Sequence, residues 1–381
     1  MRVALVTNSL PPEPATGGAQ DYVADLAADL AVRHDVLVLT GAKSGIDGVQ
    51  CVAVPTLPVL LPTASLVTKA AWHLRDQWRP AVHRAVGAHL RAFRPDVVHT
   101  HEPQGLSAAV FSAVAVASLR HVHTTHDLNL LCVRVTMTKD GESCGGRCAP
   151  CLLQRAVRAN LVARRIDYLI APSDRYRQLH VRAGIAPAEL ALTIRHGARA
   201  GTARVRAYSR RGLTLGFIGA LSPHKGLSTL LNAFERAPAE WRLEIAGDGL
   251  LAPVVERAAR RDDRIRYHGY VSGAQKDAFF DRVDLLVIPS EWEEAATLVA
   301  VEGAVRGLPS VVSDRGGLPE TAEARLFSAR DASSLLAAID WFLDSDRLSA
   351  ASKRLLADRE RFLWSTHVAR VERVLAAAAG R

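Results

Sequence analysis

Two glutamates, Glu294 and Glu302, stand with seven residues between them. The first lies in an acidic loop that follows an apolar run at 285–288, and the second lies inside a segment that reads as a helix opening at about Thr297. Carboxylates accept hydrogen bonds from hydroxyl groups, and the first amides of a helix, here those of Thr297, Leu298 and Val299, carry unpaired N–H groups that favour anions. Gathered at the end of one parallel strand, these groups can hold a polar, anionic, hydroxyl-rich ligand. Downstream, Gly307-Leu308-Pro309 and Gly316-Gly317-Leu318-Pro319-Glu320 punctuate the same region. A second candidate segment, Gly219-Ala220-Leu221-Ser222-Pro223-His224-Lys225-Gly226, follows another apolar run. Lys225 offers a point charge for a diphosphate, and Gly219 and Gly226 allow close backbone approach.

In the first half, Gly17-Gly18-Ala19-Gln20 closes a loop and opens a helix, so Gly18 brings backbone near a ligand at the positive helix end. His126-Asp127 ends a strand, where a side chain or carbonyl can stabilise developing positive charge; a strand-end histidine satisfied by its neighbours is the plainer alternative. His99, His101 and His123 share alternate strand positions and raise a metal reading that their strand context disfavours. Cys132, Cys144, Cys148 and Cys151 gather four thiols in about twenty residues, while Cys51 stands alone. In a reducing compartment such clustering favours a metal over disulfides, and four thiolates predict a closed structural zinc site. The Cys-x3-Cys-x2-Cys spacing also matches an iron–sulfur pattern, and reduced free thiols are the third reading.

These residues need a scaffold, and 381 residues suit two domains rather than one core. Residues 3–7 form a short apolar run, 20–32 carry a helical stripe at Tyr22, Val23, Leu26 and Leu30, and 36–39 form the next strand, a βαβ unit. Further strands are predicted at 97–99, 121–124 and 168–171. A segment without hydrophobic period at 195–211 reads as a linker, after which a second strand and helix series begins: strands at 213–218, 242–246, 264–267, 285–288 and 310–312, helices at 228–235 and 251–260. The expected class is α/β, two tandem doubly wound (Rossmann-like) domains facing a cleft. The expected boundaries are 1–200, with a Cys-rich insertion at about 129–152, then 201–361, and a terminal helix at 362–381.

The net charge of +9 comes mainly from arginine scattered along helices (Arg155, Arg158, Arg164, Arg165; Arg257, Arg260, Arg261), read as solvated faces. No nucleic-acid module or interleaved aromatic pattern accompanies it, so no nucleic-acid partner is expected. The positive field suits a nucleotide diphosphate and leaves peripheral contact with an anionic membrane open. No apolar run reaches the ~18 residues needed to span a bilayer, and Met1-Arg2 leads directly into the first strand without a signal peptide, which predicts a cytoplasmic protein.

The Glu294 and Glu302 spacing, with Gly316 to Glu320 after it, resembles the signature of the retaining glycosyltransferases of family 4, and the resemblance extends over nearly the whole chain. It implies the glycosyltransferase-B architecture, with the terminal helix crossing back to the first domain. It implies a nucleotide-diphosphate sugar donor and a hydroxyl acceptor: Glu302 on the ribose, Lys225 and helix-start amides on the diphosphate, Glu294 on the donor sugar, and His126 facing that sugar. The acceptor would enter near Gly18, His126 and the cysteine loop. Retention in the family is understood as front-face departure and attack through a short-lived oxocarbenium-like ion pair, with the leaving phosphate as base and no divalent metal or other cofactor required. Ala220 stands where the family usually has Arg, and Ala295-Ala296-Thr297 stands where Pro-Phe-Gly is common. These departures motivate one rival, a sugar-nucleotide-binding protein without turnover; the cysteines motivate another, a metal-cluster redox enzyme; and a sugar-nucleotide epimerase is a third within the fold.

Overall fold

The structure is a computed structural model that describes residues 1–11, 17–41, 45–61, 63–139, 142–145, 148–162, 165–207 and 212–380. The chain divides into two compact units, the first comprising Met1–Thr138, Cys144–Arg195 and Val368–Arg381, the second Lys139–Ser143 and His196–His367.

The first unit carries β1 (Arg2–Thr7), α1 (Gly18–Ala31), β2 (Asp35–Thr40), β3 (Gln50–Ala53), α2 (Leu66–Arg75), α3 (Pro80–Phe93), β4 (Val97–Thr100), α4 (Ala109–Val116) and β5 (Arg120–Thr124). A short ladder of β6 (Thr138–Lys139) and β7 (Glu142–Ser143) precedes α5 (Ala149–Val162), β8 (Tyr168–Ala171), α6 (Asp174–Arg182) and β9 (Ala191–Thr193). Among the described residues the main sheet has the order β3-β2-β1-β4-β5-β8-β9, with parallel pairing such as Leu5 opposite Val38 and His99. Its strands are nearly continuous apolar runs because both faces are covered: Val6, Leu39 and Val98 pack with Val86 and Leu90 of α3 and Val110 of α4. The order reverses between β1 and β4, so the loops after those strands diverge and leave a crevice at their carboxyl ends.

The second unit contains β10 (Thr214–Ile218), α7 (Leu227–Phe234), β11 (Arg242–Ala246), α8 (Ala252–Arg261), β12 (Ile265–Tyr267), α9 (Gly273–Arg282), β13 (Leu285–Ile288), α10 (Leu298–Ala304), β14 (Ser310–Ser313), β15 (Ala324–Phe327), α11 (Ala332–Asp340) and α12 (Ser345–Ala357). Its parallel sheet runs β12-β11-β10-β13-β14-β15, with the reversal between β10 and β13. Buried Phe217, Leu230, Phe234, Trp241, Leu243 and Phe342 form the center of its core. The last helix, α13 (Trp364–Ala379), ends in the first unit, where Glu372 accepts from Arg33 Nη2 at 2.6 Å and lies 2.7 Å from His34 Nε2.

One sequence expectation changes, and another is refined. The segment read as a linker at 195–211 is mostly exposed where it is described, with buried anchors at residues 196–198 and at Arg206, whose N–H donates to Ser352 Oγ at 2.8 Å. Residues 208–211 lie outside the described residues. Arg158, read as part of a solvated helix face, is fully buried and donates to Asp76 Oδ2 at 2.6 Å. The pattern misled because α5 lies against the end of α2, so a face that looks polar in sequence finds a buried carboxylate. Arg164 lies outside the described residues, while Arg257, Arg260 and Arg261 are exposed as expected.

Candidate active site

The loops after β10 and β13 bring the donor-side candidates together at the reversal point of the second sheet. After β10, Pro223–Lys225 make a single 3-10 turn, and Gly226 caps it at φ 71°, a left-handed conformation that starts α7. A Cβ at Gly226 would collide with the Pro289 carbonyl, so only glycine lets the Lys225 turn lie this close to the end of β13. The Glu291 N–H completes the junction by donating to the His224 carbonyl at 2.8 Å.

Lys225 and Glu294, assigned separately by sequence to phosphate and sugar, are ion-paired: Lys225 Nζ lies 3.1 and 2.8 Å from the two carboxylate oxygens. Trp292 Nε1 donates to Glu294 Oε2 at 2.6 Å, and the Lys225 ammonium stands 5.1 Å from the Trp292 ring centroid. Burial alone would raise the Glu294 carboxyl; the Lys225 charge with hydrogen bonds from Lys225, Ser290 and Trp292 outweighs it and holds the group below the ordinary carboxylate range. Glu294 is therefore a fixed anion. Its backbone is fixed too, since Gly317 N–H donates to Glu294 O at 2.7 Å and Gly316, at φ 56°, sits where any Cβ would strike the Glu293–Glu294 peptide. The Gly-Gly pair in 316–320 thus acts as a support beneath Glu294.

Thr297 is the N-cap of α10, without a side-chain cap, and Leu298 and Val299 open a helix of seven residues. On its second turn Glu302 Oε1 accepts from Lys276 Nζ at 2.5 Å, while Oε2 is buried with no hydrogen-bond partner among the described residues. A carboxylate oxygen in that state is ready to accept from a ligand hydroxyl. Sequence reasoning missed Trp292 and Lys276, whose partners are set by the tertiary fold; the only available signal was an indole two residues from a key carboxylate. Gly219 follows β10 directly with open space around it, and its carbonyl lies where a Cβ at Gly247 would strike.

In the first unit, Gly17 is the N-cap of α1, with Gly18 its first residue. The Gln20 side chain turns back to accept from Gly17 N–H at 2.8 Å and donates through Nε2 to Glu102 Oε2 at 2.5 Å. Glu102, which the sequence reading did not single out, follows β4 at the reversal point. Burial and the neighbouring Asp127 carboxylate push its carboxyl up to about 8, against a weaker hydrogen bond from Gln20. Burial likewise pushes Asp127 to about 6, against a hydrogen bond from Asn129 N–H and the Arg158 charge. His126 is half-buried, with Nε2 3.0 Å from His101 Nδ1 and the Tyr22 ring edge-on at 4.9 Å.

The other strand histidines are held by hydroxyls: His99 Nε2 lies 2.7 Å from Thr124 Oγ1, and His121 Nε2 and His123 Nδ1 lie 2.9 and 2.8 Å from Thr100 Oγ1. Burial drives His101 and His123 well below the ordinary imidazole value and His121 to about 4, so these rings are neutral.

The four-thiolate zinc cage predicted at Cys132, Cys144, Cys148 and Cys151 is not found: among the described residues no group of three or more His, Cys, Asp or Glu is arranged to hold a metal ion. Cys151 is instead a shared neighbour, its Sγ 3.1 Å from Cys148 Sγ and 3.6 Å from Cys132 Sγ. Burial and these neighbours push its thiol up to about 12. Cys144 is tied through its N–H to the Met137 carbonyl at 2.9 Å, and Gly146 and Arg147 lie outside the described residues. What fixes the segment after His126-Asp127 is α5: Gln154 Nε2 donates to Asn129 O at 2.5 Å, Arg155 Nε to Leu131 O at 3.1 Å, and Arg158 to the Asn129 side chain.

Comparison with known proteins agrees with this geometry. The sequence matches the profile described as Glycosyltransferase Family 4 over residues 16–193 and that described as Glycosyl transferases group 1 over residues 212–345. It is similar to the phosphatidyl-myo-inositol mannosyltransferase of Mycolicibacterium smegmatis, 26% identical over 96% of this chain and 91% of the relative. It is also similar to the glycogen synthase of Mycobacterium tuberculosis, 29% identical over 99% and 95%. Among solved structures, Anabaena HepE in complex with UDP superposes with a TM-score of 0.75 at 19% identity, covering 99% of this chain and 100% of that one. The lipopolysaccharide outer core galactosyltransferase WaaB gives 0.70 at 14% identity, covering 99% of each chain. The matched profiles account for both units, and the two parallel sheets have the glycosyltransferase-B form, so the chain belongs to the family 4, group 1 glycosyltransferases.

Proposed function

We propose that this glycosyltransferase moves a hexosyl group, with retention of anomeric configuration, from a nucleoside-diphosphate sugar to an acceptor hydroxyl. The observation that carries the donor assignment is Glu302: one carboxylate oxygen is held by Lys276 and the other is buried and unpaired, a ready acceptor for a ribose hydroxyl. HepE structures with UDP and with UDP-glucose support a donor of this class. In this reading Gly219 and Gly226 let the backbone approach the diphosphate beside Lys225, and Thr297, Leu298 and Val299 present their amides to it. Glu294 orients the sugar hydroxyls. Because Lys225 already pairs with Glu294, its ammonium serves both groups at once, placing phosphate and sugar at a fixed distance.

In the reaction the bond from C1 to the phosphate oxygen breaks with its electron pair leaving on the diphosphate, and the acceptor oxygen forms its bond on the same face of C1. The acceptor proton passes to the departing phosphate oxygen, so no enzyme nucleophile is needed. Glu294, kept ionised by its three donors, contributes orientation and negative potential rather than proton transfer. His126 serves the charge developing at C1, and Gly18 and Gln20 lie on the acceptor side. Incubating the protein with nucleoside-diphosphate hexoses and candidate acceptors, and reading the product's anomeric coupling by NMR, tests the proposal: retention is expected, and an inverted product would refute the mechanism.

A further inference from the structure

Helix α2 and the segment before it expose an unusual amount of apolar surface. Leu66 is 84% exposed, Val67 80% and Leu74 75%, and Val59 and Leu61 just upstream are 76% and 61% exposed. At about 100° per residue, Leu66, Ala70, Leu74 and Val67 fall within an arc of about 100°. Trp72, the buried residue of α2, points about 180° from the middle of that arc, where its Nε1 donates to the Pro58 carbonyl at 2.8 Å. The apolar stripe therefore faces directly away from the body of its unit, the reverse of an ordinary surface helix.

The stretch of sequence that carries this face is basic: between Gly48 and Arg94 it has six Lys and Arg (Lys69, Arg75, Arg79, Arg84, Arg91, Arg94) and one acid, Asp76. That acid is buried against Arg158 and offers nothing to the surface. Exposed Arg75 borders the stripe on one side and half-buried Lys69 on the other, both on α2. Outward aliphatic side chains flanked by cations, with no exposed acid among them, match the boundary between anionic headgroups and acyl chains.

We infer that the exposed face of α2, Leu66, Val67 and Leu74 with Lys69 and Arg75, docks the protein on an anionic lipid bilayer. Among the described residues no helix is long and apolar enough to cross a membrane, so attachment here is to the surface, reversible and salt-dependent. The inference concerns a face that takes no part in the donor site and stands apart from the donor assignment.

Co-sedimentation of the full chain with phosphatidylcholine vesicles, with and without phosphatidylglycerol, tests it. The expected result is binding to the phosphatidylglycerol-containing vesicles that weakens as salt rises. The variant Leu66→Gln/Val67→Gln/Leu74→Gln, whose substitutions touch no buried position, should keep the wild-type melting temperature and nucleotide affinity and lose vesicle affinity by about tenfold or more. Lys69→Glu/Arg75→Glu should lose the preference for anionic lipid. No sedimentation of the wild type, equal binding to both kinds of vesicle, or unchanged binding by the triple variant would overturn the inference. So would light scattering that shows a wild-type dimer converted to a monomer by the triple variant, because a second copy would then cover the face.

Discussion

The carboxyl ends of the two sheets are built on the same topology and carry opposite electrostatics. In the second unit each key carboxylate meets a cation: Glu294 with Lys225 and the Trp292 N–H, Glu302 with Lys276. In the first unit the equivalent position holds Glu102 and Asp127, whose nearest partners are an amide, a backbone N–H and each other, and whose carboxyls are pushed up to about 8 and 6. Around them stand neutral histidines. A strand-end crevice is thus a neutral frame whose charge state depends on which side chains the loops deliver. Permanent charge suits a nucleotide diphosphate, whereas a protonated carboxyl and amide can both donate and accept, which suits hydroxyl groups without net charge.

The comparison can be broken at four points, taken from the largest expected effect. Arg158→Ala removes the cation that pairs with Asp76 and steadies Asp127 in the first unit. It should cost about 3–5 kcal/mol in a denaturant titration, because an unpaired carboxylate is left buried. Lys225→Ala should lower transfer by about 10²–10³-fold at unchanged fold, since it removes a charge aimed at the developing phosphate and frees Glu294 from its partner; a drop of less than tenfold would place the diphosphate elsewhere. Trp292→Phe keeps the ring and deletes one N–H to Glu294, and should cost about 1.5 kcal/mol, roughly tenfold in transfer.

Glu102→Gln gives the most diagnostic effect, because it is read as a dependence on pH. The raised carboxyl stabilises the fold fully below its unfolded value near 4.5, and that contribution fades as pH rises through about 8. The variant should therefore match the wild type in melting temperature at pH 4 and exceed it by a margin that grows as pH rises toward 8. A gain that does not grow with pH would mean that Glu102 is ionised, and the contrast between the two crevices would fail.

Much of this was readable from particular residues. The strands are short runs of Val, Leu and Ile because parallel strands are covered on both faces, and for that reason residues 285–288 and 242–246 match β13 and β11 exactly in extent. Thr297 before α10 and the glycines at 226 and 316 were visible because a helix start and a left-handed φ constrain residue type locally. Partners distant in sequence were not visible. Lys276 with Glu302, Gln20 with Glu102 and Arg158 with Asp76 are separated by 26, 82 and 82 residues, and no local pattern distinguishes such a donor from a solvated one. For the cysteines, spacing gathered four thiols in sequence, and the fold sets Cys151 beside Cys148 and Cys132.

The most direct measurement is isothermal titration of UDP, GDP and ADP into the wild type and Glu302→Ala. The account predicts that one nucleotide binds the wild type and that its affinity falls by about tenfold or more in the variant, the loss of a hydrogen bond to a charged group. Equal affinity in both proteins, with the variant folded by circular dichroism, would contradict it: the unpaired oxygen of Glu302 would then not be the ribose site.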